Sequence, residues 1–383
     1  SEERLNMQTF KCVPRQPRHH MLQVVAIDDL LARTTYTGSI HRGILSDWLE
    51  DHVVHDSIIY PGVGLVELAC AVQLRRQPAG CVRLEGFSIS APMVIDSQKG
   101  DRCPGLHCVV ESDGTVEMYD VLTKELRASG SLSSMPNQDW SRVESGLLLS
   151  ISSCVLSVDV DAMYAELARS GLKYGPKFRL IDSCKYSDEC GASTIRMSGT
   201  RLQTRYLLPP PVLDAMLQSS AVLVRNHFSG EKTSAFPTLV PYAFDEVIVR
   251  AELTDALWAG STCQCVVTMH QIEKDMAVFD CSLLASSGQV VVQMKKVYAR
   301  ALSQSDTVNT KNVQQLVEKW VSIPTEVTKK DSLIVGKALL VEAPVECASL
   351  FESAVQCGSD IAEIETSSQC EVAVVFCPFD ELS

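Results

Sequence analysis

Two stretches of this chain are apolar on nearly every side. The first runs from Val63 to Val72, and the second from Val212 to Val224 behind Pro209, Pro210 and Pro211. A run apolar all round predicts a buried helix rather than a surface one. Proline suits a helix start, and Pro61 and the Pro209–Pro211 triplet stand there. Around these helices the pattern shifts to strands. Tyr36 to Arg42 reads as a short strand and turn, and Val82 to Ser90 alternates. Leu106 to Glu111 and Thr115 to Val121 flank Ser112-Asp113-Gly114, a hairpin signal, and Leu126 to Leu132 follows. Further strands are predicted at Leu180–Tyr186, Ser193–Met197, Glu246–Leu253, Ser261–His270, Met276–Leu284 and Gln289–Ala301. Asp159 to Ser170 has helical spacing, with Gly171 as its C-terminal cap. Strands, one buried helix and antiparallel strands therefore occur twice.

The remaining segments divide the chain. Residues 1–20 read as linker, residues 135–158 as a Ser-rich connection, and Ser303 to Ser332 as a polar linker with one helical piece, Val313 to Trp320. After that the order is a strand (Lys337–Glu342), a helix (Glu346–Gln356) and strands at Ile361–Glu365 and Val372–Phe376. Alternation of strand and helix predicts a parallel sheet. No GxGxxG follows its first strand, so dinucleotide binding is not indicated.

A net charge of −13 argues against nucleic acid or an anionic membrane as a partner. The 15 cysteines include no CxxC pair, so the expectation is reduced thiols in a cytoplasmic protein and no metal. No apolar run reaches membrane-spanning length, and residues 1–20 lack the apolar core of a signal peptide.

Chemistry-bearing residues cluster at the two buried helices. His52 lies nine residues before Pro61 and ten before Gly62. Asp214 and Gln218, at i and i+4 on the second helix, share one face and can hydrogen-bond. Between them lies GLKYGPKF, Gly171 to Phe178; Val240-Pro241-Tyr242 comes later. Four short motifs in this order resemble the dehydratase domains of polyketide synthases and fatty acid synthases. That family's first motif is His, three residues, Gly, four residues, Pro; here Asp56 holds the glycine position. Its second helix usually follows His-Pro, where this chain has Pro209-Pro210. The likeness extends from about Met21 to Leu302.

The resemblance implies a double hotdog, an α+β fold of two antiparallel sheets each wrapped round a buried helix. Residues 21–134 would form the N-terminal hotdog and residues 159–302 the C-terminal one. Residues 303–383 would be a linker and a small C-terminal α/β segment, part of a silent ketoreductase-like structural half. The implied reaction is loss of water from a 3-hydroxyacyl thioester on an acyl carrier protein. Histidine is suited to be neutral and basic near pH 7, so His52 is the candidate base. A carboxyl in an apolar pocket stays protonated to higher pH, so Asp214 is the candidate acid, oriented by Gln218. Tyr174 would hydrogen-bond the acid or the leaving hydroxyl, and the Gly62 N–H would meet the thioester oxygen. Pro61, Gly175, Pro176 and Phe178 are expected to line the substrate pocket. No cofactor is called for; the phosphopantetheine arm belongs to the carrier protein. Expected partners are that carrier, neighbouring domains of one synthase and a second copy in a homodimer. The alternatives are a catalytically silent structural dehydratase, or a double-bond-shifting, cyclising or product-templating relative. At Asp56 the expectation is a side chain turned outward, because burying an unpaired carboxylate is costly.

Overall fold

The computed structural model describes residues 19, 21–22, 24–28, 33–40, 47–78, 80–95, 105–136, 138–197, 206–228, 238–259, 261–273 and 275–302, and the strands 319–321, 337–343, 361–367 and 370–377. Contacts divide the chain into one unit ending at Val308 and another beginning at Asn309.

In the first unit, β1 (Val24–Asp28) pairs with β2 (Arg33–Ser39). A hairpin follows, β3 (His52–Val54) and β4 (Ser57–Tyr60), and leads into α1 (Gly62–Arg76). Residues Val63 to Gln73 of α1 are all buried, so this helix is enclosed, as its uniform apolarity requires. Then come β5 (Cys81–Ile89), β6 (Met93–Ile95), β7 (Gly105–Val110), β8 (Thr115–Asp120) and β9 (Leu126–Met135). β5 and β9 pack on α1.

The segment read as a Ser-rich connection contains a helix, α2 (Ser141–Ser153), and a strand, β10 (Leu156–Val158). The spacing of Trp140, Val143, Leu147 and Ile151 is helical, and these side chains cover Ile248, Val266 and Leu284. Three of its serines bond carbonyls four residues back, which reconciles a serine-rich sequence with a helix.

The second half repeats the plan. It comprises α3 (Val160–Ser170), β11 (Leu172–Tyr174), β12 (Ile181–Tyr186), β13 (Cys190–Arg196) and α4 (Pro210–Gln218). After these come α5 (Ala221–Phe228), β14 (Leu239–Arg250), α6 (Thr254–Ala259), β15 (Thr262–Ile272), β16 (Met276–Leu284) and β17 (Val290–Ala301). Every residue of α4 is buried. The single helix expected through Val224 breaks after Gln218. There the Ser219 and Ser220 hydroxyls donate to the carbonyls of Ala215 and Leu217.

The two halves share one sheet rather than holding one each. β5 pairs with β14 from Cys81–Arg250 to Ser88–Ala243, joining thirteen strands in the order β1-β2-β7-β8-β9-β5-β14-β17-β16-β15-β13-β12-β10. The polypeptide remains a double hotdog, with α1 and α4 enclosed and in mutual contact. A second sheet, β11-β3-β4-β6, takes one strand from the far half: β11 pairs with β3, setting Tyr174 opposite His52.

His19, assigned by sequence to the linker, is held instead. Its Nε2 lies 3.0 Å from Oε2 of Glu67, a buried carboxylate on α1 that also accepts the Leu207 N–H.

In the second unit the described strands are β18 (Lys319–Val321), β19 (Lys337–Ala343), β20 (Ile361–Ser367) and β21 (Cys370–Cys377), in the order β18-β19-β21-β20. Each pairing is antiparallel, not parallel as the alternation suggested. Two residues separate β20 from β21, too few for a parallel crossover. Lys319–Trp320, expected to end a helical piece, is strand. The rest of that piece and the helix expected at Glu346–Gln356 lie outside the described residues.

Candidate active site

The β3–β4 hairpin turns through only two residues, His55 and Asp56, with φ of 46° and 65°. Positive φ at both central residues is the type I′ condition, which suits the twist of two-residue hairpins and favours glycine or a short polar residue at the second. This accounts for the family's glycine and for asparate's acceptance in its place. Asp56 points outward, as expected, and its carboxylate meets Lys173 Nζ at 2.5 Å. The bond to Lys173, then its charge, holds the Asp56 carboxyl below its ordinary value. The same turn is steadied from the second half: the His55 N–H donates to the Gly171 carbonyl at 2.9 Å. Gly171 has φ 112°, and a Cβ there would fall 2.5 Å from the His55 ring, so both conformation and space call for glycine.

The turn sets His52 at the start of β3, buried. Its Nδ1 lies 2.7 Å from the Ile59 carbonyl. A carbonyl only accepts, so Nδ1 carries the hydrogen and Nε2 of the neutral ring keeps a lone pair. That Nε2 is 3.7 Å from Asp214 Oδ1. The Phe178 ring packs on the imidazole, centroids 5.0 Å apart, and Tyr174 flanks it at 5.8 Å.

Asp214 is buried on α4. Desolvation raises its carboxyl above the ordinary value, opposed first by the charge of His52 and then by hydrogen bonds from Gln218 and Tyr174. Gln218 Nε2 donates to Asp214 Oδ2 at 2.7 Å and to the Phe178 carbonyl at 3.1 Å. Burial, with Asp214 and Tyr164 nearby, pushes the Tyr174 phenol well up, so it stays a neutral donor.

His52, Asp214, Tyr174 and Gly62 line one cleft of about 800 Å³, its mouth included. Leu65, Ile89, Met93, Pro241 and Leu302 make its walls apolar, and exposed Arg300 lies at its rim, stacked over Tyr242 at 5.2 Å. Pro241 sits where β14 has left β5 and pairs with β17 alone, opposite Ala299 and beside a register shift, a place where a strand accommodates proline. Asp214, Tyr174 and Gln218 also border an apolar chamber walled by Leu167, Leu217, Val224 and Phe279.

Four expected lining residues lie elsewhere. Pro61 is the N-terminal cap of α1, with its carbonyl accepting from the Gly64 N–H. Gly175 packs on Asp51, where a Cβ would lie 2.4 Å from the carboxylate, and its N–H donates to the Asp51 carbonyl. Pro176 borders a separate surface cleft with Arg179 and Asp161. Phe178 stands behind His52 and supplies a carbonyl to Gln218. The Tyr-Gly-Pro-x-Phe motif thus supports the site mainly from beneath; only Tyr174 reaches the cleft.

One participant was passed over in the sequence. Tyr164, on α3, donates to Gln218 Oε1 at 2.8 Å. Its neighbours Met163 and Leu167 mark the buried face of α3, and nothing in that spacing separates a packing tyrosine from one bonded to a site.

The polyketide synthase dehydratase domain profile matches residues 19–116, and the polyketide synthase dehydratase N-terminal domain profile matches residues 148–307. The phenolphthiocerol synthesis polyketide synthase type I Pks15/1 of Mycobacterium marinum is 26% identical over 189 residues, 49% of this chain and 9% of that protein. The highly reducing polyketide synthase anuA of Penicillium roqueforti is 24% identical over 316 residues, 74% of this chain and 14% of that protein. The chain thus spans a small part of these multidomain relatives. Among solved structures, the dehydratase domain from the CurJ module of the curacin polyketide synthase superposes with a TM-score of 0.63 at 17% identity, covering 75% of this chain and 99% of that one. The dehydratase domain of PpsC from Mycobacterium tuberculosis, in complex with C12:1-CoA, gives 0.60 at 18% identity, covering 74% and 100%.

Proposed function

Because this chain belongs to the polyketide synthase dehydratase family, we propose that it removes water from a 3-hydroxyacyl thioester held on an acyl carrier protein. The product is the 2,3-enoyl thioester. One observation carries the reading: His52 Nε2 and Asp214 Oδ1, from opposite halves, face each other at 3.7 Å beside one apolar cleft.

Nε2 of His52 takes the proton from the α-carbon, which the thioester carbonyl acidifies. The α-carbon's electron pair forms the new double bond as the β-carbon–oxygen bond breaks. Asp214, whose carboxyl burial raises above its ordinary value, gives its proton to the departing hydroxyl, which leaves as water. His52 is then imidazolium and Asp214 carboxylate, and a proton passing from one to the other restores both. Tyr174 donates to Asp214, and the Gly62 N–H, in the first turn of α1 where no intrahelical acceptor exists, donates to the thioester oxygen. No step calls for a metal or a redox cofactor.

The apolar chamber beside Asp214 suits an acyl chain. The likeness to a dehydratase solved with C12:1-CoA, an acyl thioester, supports that substrate class. Arg300 at the rim suits the phosphate of a phosphopantetheine arm. In this reading the partners are a carrier protein, neighbouring domains of one synthase and a second copy of the chain, in the cytoplasm. Among the described residues no helix is long and apolar enough to cross a membrane. The experiment is to offer 3-hydroxyacyl carrier proteins of several chain lengths and weigh the products. Loss of one water supports the enzyme; unchanged mass at every length supports the silent structural alternative.

A further inference from the structure

Gln218 sits in a hydrogen-bond chain whose direction is set by its fixed ends. The Phe178 carbonyl only accepts, so the Gln218 atom 3.1 Å from it is the amide nitrogen. That nitrogen's other hydrogen goes to Asp214 Oδ2 at 2.7 Å. The amide oxygen therefore faces Tyr164, 2.8 Å away, and must receive a hydrogen. The Ile181 N–H meets the same phenol at 3.4 Å and only donates, so the phenolic hydrogen is left for Gln218. The polarity runs one way, from Ile181 through Tyr164 and Gln218 to Asp214 Oδ2. Tyr174 also donates to this carboxyl; Oδ2 is taken by Gln218, and Oδ1 is the oxygen that faces His52 and from which a proton can be passed on.

We propose that Tyr164 is a positioning residue which, through Gln218, keeps Oδ2 of Asp214 an acceptor and confines the acid's transferable proton to Oδ1. This rests on the dehydratase reading above. Without the phenol, the buried amide oxygen has lost its donor, and the amide is no longer pinned on three sides.

The test compares wild type, Tyr164→Phe, Gln218→Leu and the double variant by two readouts. The first is kcat and KM on a 3-hydroxyacyl carrier protein. The second is the infrared carbonyl band of protonated Asp214, assigned by its loss in Asp214→Asn, which needs no turnover. Tyr164→Phe is expected to lower kcat roughly tenfold with KM nearly unchanged and to move the band to higher frequency. In the Gln218→Leu background the same change should add nothing to either readout. Should Tyr164→Phe not fold, a ring-fluorinated tyrosine at position 164, a stronger donor of similar shape, should shift the band the opposite way. A band unmoved by either change at position 164, or a further tenfold loss when Tyr164→Phe is added to Gln218→Leu, overturns the proposal. A wild type inactive on every carrier substrate overturns the dehydratase reading, while the band still reports on Tyr164.

Discussion

The two halves hold the groups proposed as base and acid in different ways. His52 is placed by main chain: a strand register, a two-residue turn with both φ angles positive, and the Ile59 carbonyl on Nδ1. Asp214 is placed by side chains, with Gln218, Tyr174 and, one step back, Tyr164 around it. The base should therefore be sensitive to backbone conformation and tolerant of nearby side-chain changes that respect it. The acid should respond to single hydroxyl or amide deletions. The difference has a chemical reason. A neutral imidazole needs only its hydrogen assigned to one nitrogen, and a carbonyl does that. Burial itself raises the Asp214 carboxyl, and the donors around it oppose that rise; what they supply is orientation, which takes several of them.

The largest expected effect removes the proposed base and acid themselves. His52→Ala and Asp214→Ala should each lower turnover by about a thousandfold or more in a folded protein, and the double variant should be scarcely worse. Single-turnover kinetics on a 3-hydroxyacyl carrier protein reads this. Rate losses that multiply would mean the two groups act separately.

Next is the backbone that holds the base. Asp56→Val puts a β-branched residue at φ 65°, so the hairpin must shift and carry His52 with it. Turnover should fall roughly tenfold and Tm by several degrees. An unchanged rate would show that the turn does not position His52.

A smaller effect concerns stability and pH. The Asp214 carboxyl is raised in the folded protein, so over the window between its ordinary value, about 3.9, and its folded value the native state binds more protons than the unfolded one. The stabilising contribution is complete below the ordinary value and is lost as pH rises through the folded value. Asp214→Asn lacks this loss, so its stability relative to wild type should improve with rising pH and then level off. Denaturant titrations across pH check the direction.

The smallest effect is expected from Asp56→Gly. Glycine suits the turn, and Asp56 points to solvent with its charge on Lys173. The pH–rate profiles of wild type and Asp56→Gly should nearly coincide. A full-unit move toward lower pH in the limb reporting His52 would put the Asp56 charge at the active site.

Much of this was legible in the residues because it is local. Uniform apolarity announced α1 and α4, alternation announced most strands, and Gly171 announced the end of α3. The i, i+4 spacing already placed Gln218 beside Asp214. The helix at Ser141–Ser153 was legible too, through its apolar spacing, but serine content masked it.

What only the tertiary structure decided depends on pairings between distant parts of the chain. That β5 joins β14, making two sheets into one, follows from edge matching across some 160 residues of separation, which no local pattern encodes. That His19 meets Glu67, that Phe178 lies behind His52 instead of in the cleft, and that Tyr164 reaches Gln218 depend on which side of an element faces which neighbour. Sequence determined most of the elements and, through the motifs, singled out the pair His52 and Asp214, because turn chemistry, periodicity and helix spacing act over a few residues. Orientation and proton direction were decided only in the fold, because hydrogen-bond polarity is set by whichever fixed donors and acceptors packing brings within about 3 Å.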